Sequence, residues 1–383
     1  MKIIADENIP FVKDCFASIG DVQALSGRQI TPKVVADADI LLVRSITPVQ
    51  EKLLANSKVE FVATATIGFE HVDVDYLKKR GIGFASAPGS NANSVAEYIV
   101  AALLVVAKKH KLILEGKSIG VIGVGNVGSK VAKKCEALRM NVLLNDPPLR
   151  RQTGDAEYRS LNELFGCDFI TLHTPLTLEG QDKTFHLADE GFFASLKTGC
   201  VFINTSRGSV HNTAALKSAI KNKKLGAVII DVWENEPNID CELLRLVDIS
   251  TPHIAGYSLD GKIAGMIMIY NAACEHFGLK PKYGIEDFLP NPTVPQITIE
   301  KTDSDQQQIL HEAVQQVYTI NRDDFNTREI AMVEQAKRGK FFDDLRKNYP
   351  VRREFQNTTV VLATEDTENT ENKLKGIGFK VKK

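Results

Sequence analysis

Short apolar runs alternate with amphipathic stretches over the first two thirds of the chain. Ile40-Leu41-Leu42-Val43 and Val59-Glu60-Phe61-Val62-Ala63 read as strands buried on both faces, the pattern of a parallel sheet. Further runs at 119–122, 142–144, 169–172, 201–204 and 228–232 follow, with Ile249 opening another. Helical stretches such as 212–223 lie between them, so 118–255 predicts a doubly wound parallel sheet. Two strongly apolar helices are predicted on either side, over 93–109 and 258–277. Ser94 with Glu97 three residues on has the spacing of a capping box for the first. Pro281, Pro290, Pro292 and Pro295 mark a linker. Beyond it the pattern changes. Residues 293–299 read as a strand, Leu310, Val314, Val317 and Ile320 as a helical stripe, and 358–362 as a strand. The alternation Ile377, Phe379, Val381 suggests one more strand. This tail reads as a small α+β domain, suited to dimerisation rather than chemistry, with a helper role for one arginine of its basic stretch 345–353 as the alternative.

Composition narrows the class. The 383 residues suffice for two or three domains, and 43% hydrophobic with 25% charged residues is ordinary for a globular protein. A net charge of −1 supplies no field for nucleic acid or an anionic membrane, so neither is expected as a partner. No apolar run reaches the roughly 18–20 residues of a membrane span. The first residues, Met1-Lys2-Ile3-Ile4-Ala5-Asp6-Glu7, lack the features of a signal peptide, and a cytoplasmic location is expected. Cys15, Cys135, Cys167, Cys200, Cys241 and Cys274 form no C-x-x-C pair and read as free thiols, with no metal site.

The strongest local signal is Ser118-Ile119-Gly120-Val121-Ile122-Gly123-Val124-Gly125-Asn126-Val127-Gly128. A short strand runs into G-x-G-x-x-G and then a helix predicted over 126–140. Glycine permits the tight turn and the close approach of backbone to a pyrophosphate, and the helix N-terminus offers free N–H groups to that anion. Asp146 ends the next strand, where an acidic side chain would hold ribose hydroxyls and repel a 2′-phosphate. NAD is therefore expected over NADP, although Arg150 and Arg151 lie close by. Thr174, in His173-Thr174-Pro175, also ends a strand and is expected to face the cofactor. His173 and His186 read as structural.

Three more strand ends carry candidate chemistry: Thr205-Ser206-Arg207-Gly208-Ser209, Asp231-Val232-Trp233-Glu234-Asn235-Glu236-Pro237 and Thr251-Pro252-His253-Ile254-Ala255-Gly256-Tyr257. Oxidising a 2-hydroxy acid needs a cation for the carboxylate, a base for the hydroxyl proton and an acceptor for hydride. Arg207 suits the cation, since a guanidinium grips a carboxylate through parallel hydrogen bonds. His253 suits the base, and Glu236 could fix its tautomer. Taken singly, each could equally be a loop residue in an ion pair or a turn; their succession after consecutive strands favours chemistry. Asp231 is better placed for the nicotinamide carboxamide than for proton transfer. In the first part of the chain Arg44, Ser45 and Thr66 follow strands and are candidates for substrate contact. His71 reads as a polar residue near a helix start.

The order of these parts over about residues 1–280 resembles the D-isomer-specific 2-hydroxyacid dehydrogenases, with Arg, Glu and His in Ser-Arg-Gly, Glu-x-Glu-Pro and Thr-Pro-His-Ile-Ala-Gly. Ala5-Asp6-Glu7-Asn8-Ile9-Pro10, Leu42-Val43-Arg44-Ser45-Ile46-Thr47-Pro48, Asn145-Asp146-Pro147-Pro148 and Leu345-Arg346-Lys347-Asn348-Tyr349-Pro350-Val351-Arg352-Arg353 narrow the likeness. They resemble the branch that oxidises 4-phospho-D-erythronate to (R)-3-hydroxy-2-oxo-4-phosphooxybutanoate on the way to pyridoxal 5′-phosphate (vitamin B6). That resemblance implies Arg207, Glu236 and His253 as active-site residues. Beside Gly123, Gly125 and Gly128 of the glycine turn, it implies Asn126, Val127, Asp146, Thr174, Ser206, Arg207, Gly208, Asp231 and Gly256 on NAD, and Ser45, Thr66 and Tyr257 on a small phosphorylated substrate. Ser90 and Asn93 depart from the branch's pattern. Rival readings are a dehydrogenase for 3-phosphoglycerate or hydroxypyruvate/glyoxylate, and a non-catalytic NAD-sensing protein. The expected fold is α/β: a Rossmann-type NAD domain (94–256) inserted in a flavodoxin-like substrate domain (1–93 and 257–281), followed by a C-terminal α+β homodimerisation domain (282–383).

Overall fold

The computed structural model describes residues 1–300, 305–362 and 368–382. The chain divides into two compact units, 1–91 with 258–291, and 92–257 with 292–383.

The first unit is built on five parallel strands, β1 Lys2–Asp6, β2 Asp21–Leu25, β3 Ile40–Val43, β4 Phe61–Thr64 and β5 Gly83–Ala85, in the order β2-β1-β3-β4-β5. This is the flavodoxin-like order. Successive side chains of a strand point to opposite faces, and each face has its own cover. Ile3, Ala5 and Leu42 pack with Ile263, Met266 and Tyr270 of the helix Leu259–His276. Ile4, Leu41 and Val43 pack on the other side with Leu53, Leu54 and Leu77. That double burial explains why these strands are continuous apolar runs. Ser258 caps the returning helix by accepting from the Gly261 N–H.

The second unit carries six parallel strands, β6 Ser118–Ile122, β7 Asn141–Asn145, β8 Phe169–Leu172, β9 Cys200–Asn204, β10 Leu225–Ile230 and β11 Ile249–Ser250. Their order is β11-β10-β9-β8-β6-β7. A single parallel bridge from Leu144 to Tyr158 stands where a further strand would extend the β7 edge. The chain therefore reverses its winding between β6 and β8, and ligands of open α/β sheets bind at such a point.

In the C-terminal segment, β12 Gln296–Ile299, β13 Thr359–Leu362 and β14 Lys380–Lys382 form a small sheet. All its pairings are parallel, with helices between the strands. Ile377 closes the helix Glu368–Ile377 rather than opening the last strand. Gly378 then turns the chain at φ +123°, and Phe379 stacks on Phe355 with centroids 4.7 Å apart. The apparent alternation thus spans a helix end, a turn and a three-residue strand. Leu310, Val314, Phe355 and Leu374 of this segment share one core with Ile99, Leu103, Val131 and Ile119. The tail consequently packs with the six-stranded sheet as one unit.

That shared core also changes the role of Ser94 and Glu97. The helix Ala92–His110 begins before Ser94, which lies inside its first turn. The Ser94 hydroxyl donates to Glu354 (2.8 Å), and Glu97 accepts the Phe355 N–H at 3.0 and 3.1 Å. The expected capping pair instead ties the tail to the helix.

Candidate active site

The glycine turn follows β6 directly, and the helix Asn126–Ala137 starts behind it. Gly123 has φ +87°, where a side chain is strained. A Cβ at Gly128 would stand 1.9 Å from the Gly123 carbonyl oxygen, so helix and turn meet there backbone to backbone. A Cβ on Gly125 would meet nothing of the chain within 4 Å. Gly125 and Asn126 are exposed and Val127 is half-buried, leaving the helix start open. Asp146 stands at the end of β7. Its carboxylate accepts from the Val124 N–H (2.8 Å) and from Leu149 N–H (3.0 Å), which caps the helix Pro147–Thr153. Arg151 is engaged by Asp182.

Across the reversal point, the backbone at 173–174 closes over Gly123. The Thr174 hydroxyl is buried with no hydrogen-bond partner among the described residues. A buried hydroxyl of this kind is costly unless something bonds it. The open glycine turn, the acidic strand end and the orphaned hydroxyl together fit a dinucleotide. His173 shares a hydrogen bond with Thr171 (2.9 Å), and burial pulls its pKa down to about 3, so it stays neutral. His186 is bonded to Glu234 (2.7 Å). Both histidines are built into the scaffold.

At the end of β9, Asn204 organises the next turn. Its Oδ1 accepts from the Ser206 N–H (3.0 Å) and hydroxyl (2.8 Å), and its amide donates to the Arg207 carbonyl (3.0 Å). Arg207 Nη1 donates to the Ser206 carbonyl at 2.9 Å. A Cβ on Gly208 would stand 1.9 Å from the Trp233 carbonyl oxygen. Gly208 therefore lets the Arg207 turn pass against the loop that carries Glu236.

Glu236 and His253 meet, with the Glu236 carboxylate 2.8 Å from His253 Nδ1. The other Glu236 oxygen accepts from the Trp233 N–H (2.8 Å). Burial pushes the Glu236 pKa up, but His253, the Trp233 N–H and Arg346 more than offset it and hold the group below the ordinary glutamate range. An ionised Glu236 fixes the proton of neutral His253 on Nδ1 and leaves Nε2 as the acceptor. The pair is neither sealed nor fully solvated, with side-chain exposures of 31% for His253 and 21% for Glu236.

Asp231, expected at the nicotinamide carboxamide, is tied into the turn that follows β11. Its Oδ1 accepts from the Thr251 hydroxyl (2.6 Å) and the Ile254 N–H (2.8 Å), and its Oδ2 from the Ala255 N–H (3.1 Å). Its carbonyl accepts the His253 N–H at 2.7 Å. His253 adopts φ +59°, a left-handed conformation that persists only where surrounding bonds impose it. Asp231 supplies those bonds. Thr251 spends its proton on Asp231, so the Tyr98 hydroxyl donates to Thr251 (2.7 Å). Trp233 Nε1 also donates to the Thr251 carbonyl (2.9 Å).

Asn204, Thr251, Trp233 and Tyr98 were not singled out by the sequence. Asn204 alone left a local signal, a polar residue closing the buried run Cys200–Asn204. The basic stretch of the C-terminal segment contributes two arginines. Arg352, buried over the Tyr318 ring at 4.4 Å, donates to the Ala255 carbonyl (2.5 Å) just before Gly256. Arg346 lies against Tyr257.

The first unit holds the remaining candidates. Arg44 and Ser45 open a turn closed by the Thr47 N–H on the Arg44 carbonyl (3.1 Å). Ser45 is exposed and Arg44 half-exposed, with no ion pair to Arg44 among the described residues. The Thr66 hydroxyl lies 2.7 Å from that of Thr64 and donates to the Gly68 carbonyl (2.8 Å). His71 shares a bond with Thr64 (3.1 Å), and burial lowers its pKa. No helix of the described residues is long and apolar enough to cross a membrane.

Comparison with known proteins agrees with this geometry. Residues 104–255 match the family model for the D-isomer specific 2-hydroxyacid dehydrogenase NAD binding domain, and residues 288–378 match a domain of unknown function. The chain is 42% identical over 380 residues to an erythronate-4-phosphate dehydrogenase of Proteus mirabilis, covering 99% of each chain. It is 42% identical over 362 residues to that of Escherichia coli, covering 94% of each. Among solved structures, the D-lactate dehydrogenase of Aquifex aeolicus complexed with NAD and lactic acid is 26% identical, with TM-score 0.58, over 73% of this chain and 96% of that one. The NAD+-bound 3-phosphoglycerate dehydrogenase of Entamoeba histolytica shares the fold at 24% identity and TM-score 0.60, over 73% of this chain and 95% of that one. Fold, glycine turn, strand-end residues and near-full-length relatives converge: this chain belongs to the erythronate-4-phosphate dehydrogenase family, within the NAD-dependent D-isomer-specific 2-hydroxyacid dehydrogenases.

Proposed function

We propose that the chain oxidises 4-phospho-D-erythronate to (R)-3-hydroxy-2-oxo-4-phosphooxybutanoate with NAD, in the synthesis of pyridoxal 5′-phosphate. The 2.8 Å pairing of Glu236 with His253 is the observation that carries the chemistry. His253 Nε2 takes the C2 hydroxyl proton, and Glu236 stabilises the imidazolium that forms. Arg207 grips the carboxylate and, through it, orients C2. Bound NAD supplies the hydride acceptor. Gly123, Gly125, Asn126, Val127 and Gly128 receive its pyrophosphate, Asp146 its ribose hydroxyls, and Thr174, Ser206, Gly208 and Gly256 complete its cradle. Asp231 acts mainly by holding the His253 turn. Arg44, Ser45, Thr66 and Tyr257 contact the substrate, and the Arg44 guanidinium, with no ion pair among the described residues, suits an anionic group. Exposed Phe325, Met332 and Val351 in the C-terminal segment support homodimerisation there. The free cysteines suit a reducing cytoplasm.

The test of the substrate is NADH formation with 4-phospho-D-erythronate set against 3-phosphoglycerate. The four-carbon substrate should give the higher kcat/KM; equal or better turnover of 3-phosphoglycerate would overturn the assignment. The cofactor reading has its own test. Asp146→Ala removes a carboxylate that repels a 2′-phosphate, so the ratio of kcat/KM for NAD to that for NADP should fall about tenfold or more. An unchanged ratio would place the ribose elsewhere.

A further inference from the structure

Arg346 sits on the helix Arg338–Lys347 of the C-terminal segment. Its guanidinium carbon is 5.7 Å from the centroid of the Tyr257 ring and 5.9 Å from that of Phe342. Tyr257 meets Tyr349 edge-on, with centroids 5.9 Å apart at 82°. Arg346 Nε is closed from solvent and has no hydrogen-bond partner among the described residues. Enclosing a cation with an unused donor is costly unless aromatic faces and a nearby negative charge compensate. Tyr257 and Phe342 supply the faces. The charge comes from Glu236: burial works against the Arg346 cation, while Tyr257 and Glu236 restore it. Arg346 in turn helps keep Glu236 ionised.

We infer that Arg346 is a positioning residue of the active site, delivered by the C-terminal segment to brace Tyr257 and to set the charge balance of the Glu236–His253 pair. This rests on the reading of His253 as the base. The physical reason is a tug of opposite charges. Glu236 attracts positive charge onto His253, and the Arg346 cation acting on Glu236 offsets part of that attraction. Other charged groups stand around the pair. Asp343 shares Arg346's helix and acts on it, and Asp231 lies beneath the His253 turn. Asp323 accepts from the Tyr318 (2.9 Å) and Tyr349 (2.8 Å) hydroxyls, and Arg352 holds the Ala255 carbonyl. Arg346 is the one that also packs on the proposed substrate contact Tyr257.

The test uses the full chain and whichever 2-hydroxy acid the wild type oxidises. Arg346→Gln should move the acid limb of the kcat/KM profile to higher pH by about half a unit to one unit, because loss of the cation stabilises protonated His253. Arg346→Lys should restore the limb. Glu236→Gln should move it the other way. NADH affinity should change little in Arg346→Gln. A fall in activity with the limb unmoved, or no change in either, overturns the inference. If the glutamine variant does not fold, Arg346→Met keeps the apolar stem and gives the same reading; failure of both to fold also overturns it, in favour of a purely structural arginine. The wild-type profile by itself tests the Glu236–His253 assignment, and only the displacement in the variants tests Arg346.

Discussion

His253→Ala should lower kcat/KM for hydroxy-acid oxidation by about 10²–10⁴, the usual contribution of a positioned general base. NADH should bind the variant almost as well as the wild type. The two effects separate because the imidazole and the glycine turn are held independently. The His253 backbone is fixed by Asp231, whose carbonyl accepts its N–H at 2.7 Å and whose carboxylate accepts the next two N–H groups. Removing the side chain leaves those bonds in place. It also relieves nothing at Gly123–Gly128, which is shaped by its own backbone contacts. Steady-state kinetics with a fluorescence titration of NADH measure both quantities. Loss of NADH binding together with turnover would show that His253 supports the cofactor rather than the proton, and the assigned roles would fall.

Gly208→Ala should be damaging in a different way. Its Cβ would stand 1.9 Å from the Trp233 carbonyl oxygen, 2.0 Å from the Trp233 carbonyl carbon and 2.6 Å from the Glu234 nitrogen. These are backbone atoms, so no rotamer change gives relief. The Arg207 turn and the Glu236 loop must separate, at a cost of about 3 kcal/mol or more. A lower melting temperature should accompany losses in both kcat and NADH affinity. Gly125→Ala is the contrast. Its methyl meets nothing of the chain within 4 Å, so the melting temperature should hold while NADH affinity drops, because the methyl occupies the ground a phosphate needs. If the two variants melted alike, the close approach at Gly208 would not be the constraint described.

Much of this site was visible in local patterns. The strand–glycine–helix succession, Asp146, and the strand-end positions of Arg207, Glu236 and His253 follow from spacing and residue type. What was hidden shares one property: it acts across distant segments. Asp231 bonds the backbone of the His253 turn, and Ser94 bonds Glu354 instead of capping its own helix. The tail's packing with the six-stranded sheet could not be read from the linker prolines, since shared burial of Leu310, Val314 and Leu374 with Ile99 and Val131 leaves no local mark.

By itself, then, the sequence determined the class of fold, the cofactor and the reaction type. Apolar periodicity, glycines at fixed offsets and an acid at a strand end are local requirements, and each must be met within a few residues of chain. The tertiary structure alone decided what the strand-end residues touch: Asn204 under the Arg207 turn, Asp231 and Tyr98 under the His253 turn, and Arg346 and Arg352 of the tail against Tyr257 and Ala255. A buried polar atom must find its partner wherever the fold brings one, and that partner can lie a hundred residues away.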